Sequence, residues 1–181
     1  RMGNLALEPE EVASELDVVL EERRMRVDNN PSSILGEVFD ATLHVNSPYA
    51  DPVIGWPEEV SALNREAAFA YYDRFYTPEN AVVVIAGDVT PETLAEKTYG
   101  QVESRVDLKP RVRSQTPALG SLRTVRYEDP RVGQPSLRHG WVVPSYATAE
   151  PGQAEALDVL SQILGGGSTS RLYDTLVRKE G

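Results

Sequence analysis

Residues 8–27 read EPEEVASELDVVLEERRMRV, and this stretch predicts the first long helix of the chain. Glutamates are concentrated at its start and arginines at its end, a distribution that complements the helix dipole. Apolar residues recur at three- to four-residue spacing and form one stripe along the helix, at Val12, Leu16, Val19, Leu20 and Val27. The turn-forming sequence DNNP at 28–31 predicts its end, and Ser32 or Ser33 is expected to cap a second helix that runs to about Leu43.

Beyond this helix pair the pattern alternates between helix and strand. A proline-rich loop over residues 47–57 leads into a third predicted helix, 57–75. The β-branched run AVVVIA at 81–86 predicts a strand that is covered on both faces, and a helix is expected at 90–102. Residues 103–120 lack periodicity and are rich in proline, arginine and serine, which predicts a linker.

The last third of the chain predicts two strands and two helices. Residues 122–127 and 137–143 alternate in the manner of half-exposed antiparallel strands. Helices are expected at 152–164 and 170–179, with the triglycine 165–167 as the joint between them.

Composition excludes several classes of function. The 181 residues carry a formal net charge of −10, which disfavours binding to nucleic acid or to an anionic membrane surface and leaves basic or neutral peptides as partners. No apolar run approaches the about 18 residues of a membrane span. The chain has no cysteine, so thiolate metal sites, thiol nucleophiles and disulfides are excluded.

Glu15 and Glu22 are the first candidates for chemistry. Seven residues apart on one helix, they project from nearly the same face about 10 Å apart along the axis. Rigidly held carboxylates can ligate a metal or orient its ligands. The alternative is a solvated acidic face on which Glu22 pairs with Arg26, four residues later.

Two further candidates are weaker. Gly165–Gly167 could cradle a phosphate at a helix start, but no Lys-Ser/Thr pair follows as in a nucleotide-binding loop, so a flexible joint is the simpler interpretation. The two histidines, His44 and His139, have no serine elbow to activate, which argues against a hydrolase triad.

Four segments resemble, in the same order, segments of the inverted-zincin peptidases, the family of pitrilysin, insulysin and the mitochondrial processing peptidase. The segments are ELDVVLEERRMRVDNNP (15–31), SPYADPVIGWPEEVSALN (47–64), FYTPENAVVVIAGDVTPE (75–92) and LGGGSTSRLYDTLVRKEG (164–181). The resemblance covers almost the whole chain.

The resemblance implies a zinc peptidase in which Glu22 is the carboxylate ligand and Glu15 a supporting carboxylate. The family's other zinc ligands and its general base lie in an H-x-x-E-H helix, and no such motif occurs in this chain. We therefore expect an inactive fragment of a zinc metalloendopeptidase that hydrolyses peptides or small unfolded polypeptides, with zinc held by the parent protein and not tightly by the fragment. The alternative is a non-catalytic homologue that captures substrate or acts as a scaffold subunit.

The fold that the resemblance implies is α+β, with helices packed on a mostly antiparallel sheet and two homologous halves that close like a clam. Residues 1–103 would be the later part of the first half, 104–121 the linker and 122–181 the beginning of the second half. Sheet edges would be exposed, so a homodimer through those edges or a sister subunit is expected.

By the same resemblance Arg178 contacts the backbone of a peptide substrate, although it lies one place beyond the family's arginine, where this chain has Val177. The resemblance is to bacterial relatives and leaves the compartment open between periplasm and cytoplasm.

Overall fold

The structure is a computed structural model that describes residues 2–88, 90, 100, 102–104, 109–118 and 120–180. The chain divides into two compact units, residues 1–137 and 138–181. The helix expected at 90–102 lies largely outside the described residues. The predicted domain boundaries stay a prediction.

The first unit contains four described α-helices. They are α1 (Pro9–Arg23), α2 (Pro31–Leu43), α3 (Pro57–Ser61) and α4 (Arg65–Phe75). A π-helical turn, Arg24–Asp28, continues α1 without a break, and 3-10 turns lie at Pro48–Ala50 and Pro78–Asn80.

Asparagine side chains cap two of these helices, and at α2 the cap is Asn30 and not the expected Ser32 or Ser33. The Oδ1 atom of Asn30 accepts the backbone N–H groups of Ser32 at 3.0 Å and of Ser33 at 3.4 Å at the start of α2. In the same way Asn64 accepts the N–H of Ala67 at 2.9 Å. The cap at Asn64 starts a new helix, so the single helix predicted over 57–75 is two helices, α3 and α4.

The predicted fold class is wrong for the residues that the structure describes, because they contain helices and no strand. Residues 81–86 are a clear case: their exposures alternate as in a strand, at 90% for Val82, 50% for Val83, 86% for Val84 and 44% for Ile85. A strand also requires a neighbouring segment that accepts and donates its backbone hydrogen bonds. No other described segment exchanges such hydrogen bonds with residues 81–86. The two other predicted strands, 122–127 and 137–143, also lack a paired segment among the described residues.

Among the described residues of the first unit few apolar side chains are buried, and polar contacts join its N-terminal segment to α4. Val60 and Tyr72 are its buried hydrophobic residues among those described. The Tyr72 hydroxyl donates to the carbonyl of Met2 at 2.8 Å, and Arg65 Nε donates to the carbonyl of Leu7 at 2.6 Å. These bonds hold the N-terminal segment against α4.

The second unit begins with non-helical residues and ends with two helices. The helices are α5 (Gln153–Gly165) and α6 (Arg171–Tyr173), and a π-helical turn, Asp174–Lys179, extends α6. Ser170 is buried and caps α6 by accepting the N–H of Tyr173 at 3.4 Å. Of the helices in the described part of the chain, none is long and apolar enough to cross a membrane.

Candidate functional site

The last turn of α1 carries Glu22, the carboxylate that the family resemblance singles out. Its side chain is 38% exposed and forms an ion pair with Arg26, with 3.0 Å between Oε1 and Nη2. Glu15 lies seven residues earlier on the same helix and is exposed. The pairing of Glu22 with Arg26 is the one that helix spacing allows. The metal role of both glutamates stays a prediction.

The described residues do not make a zinc centre by themselves. A zinc site in a protein normally needs at least three protein ligands. Among the residues that the structure describes, no three side chains of His, Cys, Asp or Glu lie together so that they could hold a metal ion. Glu22 is therefore at most one donor of a set that other residues complete, and no zinc-dependent step follows from this geometry.

The residue next to Glu22 has the most extensive polar contacts in this region. Arg23 is 4% exposed, and its two terminal nitrogens donate to both carboxylate oxygens of Glu37 at 2.8 and 2.9 Å. Nη1 also donates to the carbonyl of Gly55 at 2.9 Å. The Nε atom has no hydrogen-bond partner among the described residues and lies 3.6 Å from Oδ1 of Asp28. One guanidinium thus links α1 to α2 and to the loop before α3.

The charge on Arg23 is maintained despite burial. The hydrogen bond to Glu37 raises the pKa of Arg23, burial opposes this, and the nearby carboxylates of Glu37, Asp28 and Glu58 raise it further. A bidentate arginine–carboxylate pair is also geometrically specific. The cluster therefore fixes the end of α1, and with it the backbone from which Glu22 projects.

Gly55 is required where this loop approaches Arg23. Its φ is +87°, and a Cβ at this position would lie 2.7 Å from Cγ2 of Val60. A side chain here would be strained by the backbone conformation and would force Val60 to shift. The Gly55 carbonyl can accept from Arg23 because the loop turns tightly here.

The sequence contained a signal for this cluster that helix-dipole reasoning missed. Arg23 lies three residues after Leu20 and four after Val19, within the apolar stripe of α1. Glu37 interrupts the apolar residues of α2 in the same way. Opposite charges that each interrupt an inward stripe indicate a buried ion pair, since an unpaired buried charge is very costly.

Arg178, the predicted substrate contact, lies in the π-helical turn of the second unit. Its guanidinium is 4.0 Å from a carboxylate oxygen of Asp174 and 5.8 Å from the ring centroid of Tyr173. The side chain is 57% exposed. Both contacts lie within its own helix, and the substrate role stays a prediction.

In the described part of the chain, the two histidines and the triglycine show no arrangement that favours a catalytic or phosphate-binding role. The ring of His44 lies 5.6 Å from that of Tyr49, and the ring of His139 stacks 6.0 Å from that of Trp141. An open groove beside the triglycine is largely apolar, and no cationic side chain lines it among the described residues. Its lining is Gly165, Gly167, Ser168, Ser170, Leu172, Tyr173, Leu176 and Val177. This lining does not favour a phosphate site.

Comparison with known families decides what kind of chain carries these features. The sequence-family model of the peptidase M16 inactive domain matches residues 62–181 of this chain. The chain belongs to the peptidase M16 family. This confirms the resemblance to the pitrilysin and insulysin peptidases.

Relatives in this family extend the match over nearly the whole chain. The zinc protease PqqE of Helicobacter pylori is 31% identical over 183 residues, which cover 99% of this chain and 40% of that protein. An uncharacterized zinc protease of Mycobacterium leprae is 33% identical over 186 residues, covering 95% of this chain and 38% of the relative. The chain thus spans about 40% of the length of these relatives.

A solved structure supports the same family relationship. The crystal structure of a protease from Helicobacter pylori matches with a TM-score of 0.60 and 29% identity, over 99% of this chain and 44% of that one. The M16 chain is therefore similar to the part of a zinc protease that includes the inactive domain. This agrees with the expectation of an inactive metalloprotease fragment.

Proposed function

We propose that this M16 chain is the non-catalytic part of a zinc metalloendopeptidase and contributes one carboxylate, Glu22, to a metal site completed by residues outside it. The family match, with relatives named zinc proteases, carries the proposal. The structure supports it in one respect: Glu22 lies on a helix turn that the neighbouring Arg23 anchors to two other segments.

The substrate class that we propose is peptides or small unfolded polypeptides. The resemblance to pitrilysin and insulysin supports it, and so does a chain whose net charge of −10 disfavours nucleic acid. Glu15, on the same helix, is proposed as a carboxylate that supports the metal site without ligating it.

Complementation in trans tests the metal role. The chain is mixed with a recombinant segment of a related peptidase that carries an H-x-x-E-H helix, and zinc binding and cleavage of a fluorogenic peptide are measured. We expect tight zinc binding and cleavage only in the mixture. Glu22→Gln should weaken zinc binding more than about 100-fold, whereas Glu15→Gln should weaken it about 10- to 100-fold, the usual effect of losing a group that supports a ligand.

Glu21 offers a matched control because it is the neighbouring glutamate, is 55% exposed and pairs with Arg24 at 2.6 Å. Glu21→Gln removes the same charge from the same turn and should leave zinc affinity unchanged. Equal losses for Glu21→Gln and Glu22→Gln would show that only net charge matters and would reject Glu22 as a ligand.

The second candidate function is that of a non-catalytic subunit that captures substrate for an active sister chain. The observation that favours it is the family match itself, since the matched domain is described as inactive. In the complementation assay this function predicts that peptide binds to the chain, that the mixture cleaves nothing, and that Glu22→Gln has no effect.

A further inference from the structure

A second candidate site lies in the first unit, on the surface of an open groove. Two segments more than 60 residues apart in sequence form its walls: the 3-10 turn that begins at Pro48, and residues 111–115. The lining residues are Ser47, Pro48, Tyr49, Arg111, Val112, Arg113, Ser114 and Gln115. Neither the family match nor the metal proposal assigns a role to this groove.

The charge of the groove is opposite to that of the chain. Two arginines line it and no carboxylate does, although the chain as a whole carries −10. Arg111 and Arg113 are exposed, and no carboxylate of the described residues forms an ion pair with either. Arg111 does lie 5.9 Å from the ring centroid of Phe75. These cations are thus available to an external anion.

The backbone of this segment is also available. Residues 109–118 are neither helical nor turned, and none of them makes a backbone hydrogen bond to another described residue. Arg111 and Arg113 lie on the same wall of the groove, with Val112 between them. The Val112 side chain is 95% exposed. The segment offers both a row of cations and unused backbone donors and acceptors.

We propose that this groove binds an acidic stretch of extended polypeptide. The bound chain lies alongside residues 111–115 and exchanges backbone hydrogen bonds with them, in the manner of strand addition. In an extended ligand, carboxylates two residues apart repeat at about 7 Å, so neighbouring carboxylates on one side of the ligand can face the two arginines of this wall. Each guanidinium can take one carboxylate in a bidentate pair. Pro48 and Tyr49 provide the apolar wall for the intervening side chains.

An extended acidic peptide fits this site better than a small anion does. Neither arginine is buried, so the groove holds no desolvated cation that would concentrate affinity on a single phosphate. Two separate exposed cations on one wall can instead each take a different carboxylate of one polypeptide. The site requires no metal and goes beyond the proposed peptidase function.

Fluorescence anisotropy tests this proposal with a labelled eight-residue peptide of alternating glutamate and valine, titrated with the 181-residue chain at low salt. Binding is expected to weaken as salt is added, since the pairs are exposed. Arg111→Gln combined with Arg113→Gln should weaken binding at least tenfold. A peptide with proline in place of each valine should also bind more weakly, because proline cannot donate a backbone hydrogen bond.

A matched control pair removes the same charge elsewhere in the first unit. Arg24 and Arg126 are 61% and 83% exposed, and Arg24→Gln with Arg126→Gln should leave peptide affinity within about twofold. Should the groove variant fold poorly by circular dichroism, a charge swap replaces it: Arg111→Glu with Arg113→Glu should lose the glutamate peptide and bind its lysine counterpart.

Three outcomes would overturn the proposal. The first is absence of binding at low salt, and the second is equal affinity of the groove variant and the control pair. The third is competition by inorganic phosphate at the same concentration as the peptide, which would reduce the groove to a general anion site.

Discussion

Arg23 is the residue whose removal should damage this structure most. Replacement by Met keeps much of the aliphatic stem but leaves the Glu37 carboxylate, 12% exposed, without its bidentate partner and the Gly55 carbonyl without its donor. Loss of one partner of a buried pair costs about 3–5 kcal/mol. Because Asp28, the other carboxylate near Arg23, is 46% exposed and can be solvated, we expect the lower end, about 3 kcal/mol.

The measurement is urea unfolding of the chain followed by circular dichroism, with hydrogen exchange of the α1 and α2 amides as a local readout. Arg23→Met with Glu37→Leu removes both charges and should recover most of the loss, since an apolar pair of similar volume is often as stable as the ion pair. Arg24→Met is the control: Arg24 is 61% exposed, and the change should cost less than about 0.5 kcal/mol.

The reasoning would be refuted if Arg23→Met lowered the free energy of unfolding by no more than Arg24→Met does. It would also fail if the double variant were less stable than Arg23→Met alone, because the damage would then come from lost packing and not from an unpaired carboxylate.

Two further predictions concern the same unit. Gly55→Ala should destabilise the chain by about 1–3 kcal/mol in urea unfolding, because φ is +87° and the new Cβ would lie 2.7 Å from Val60 Cγ2. Gly120→Ala, where a Cβ would meet nothing within 4 Å, should change stability little, and equal effects would contradict this account. Hydrogen bonds from Arg131 hold the pKa of Asp129 well below its usual range, so the NMR carboxyl signal of Asp129 should stay that of the ionised form through pH 3. Arg131→Gln removes the side-chain hydrogen bonds, the largest cause, and should raise the pKa of Asp129 toward its usual range but short of it, because the backbone N–H of residue 131 and the Tyr127 hydroxyl still donate to the carboxylate. The stabilisation of the folded chain by the Asp129–Arg131 pair is present above the pKa of Asp129 in the unfolded chain and is lost as pH falls through its pKa in the folded chain. Titration of Asp129 near pH 4 in the unsubstituted chain would disprove the pairing.

Local chemistry made much of the helical structure predictable. The first helix was expected over 8–27, and α1 with its π-helical turn covers Pro9–Asp28. Its limits follow from the proline and the acidic residues at the start and from the DNNP turn at the end. The cap of α2 was misassigned by two or three residues because serine and asparagine have similar cap preferences, and only the backbone geometry selects Asn30.

The strand predictions were wrong for a different reason. AVVVIA has the composition of a strand, but a strand requires a partner, and composition carries no information about which segment pairs with it. In the structure, residues 81–86 pair with no other described segment and remain exposed. The site was predictable in part: family resemblance indicates Glu22, and helix spacing indicates its alternative partner, Arg26.

Membership of the M16 family, the main helices and the absence of an H-x-x-E-H motif were determined by the sequence alone, because each depends on residue types at short spacing. The tertiary structure decided which charges are buried and which remain free. The position of Arg23 in the apolar stripe of α1 indicates that it faces inward, but only the structure shows that it meets Glu37 and the Gly55 carbonyl. These partners lie 14 and 32 residues away in the chain, so no local pattern can identify them.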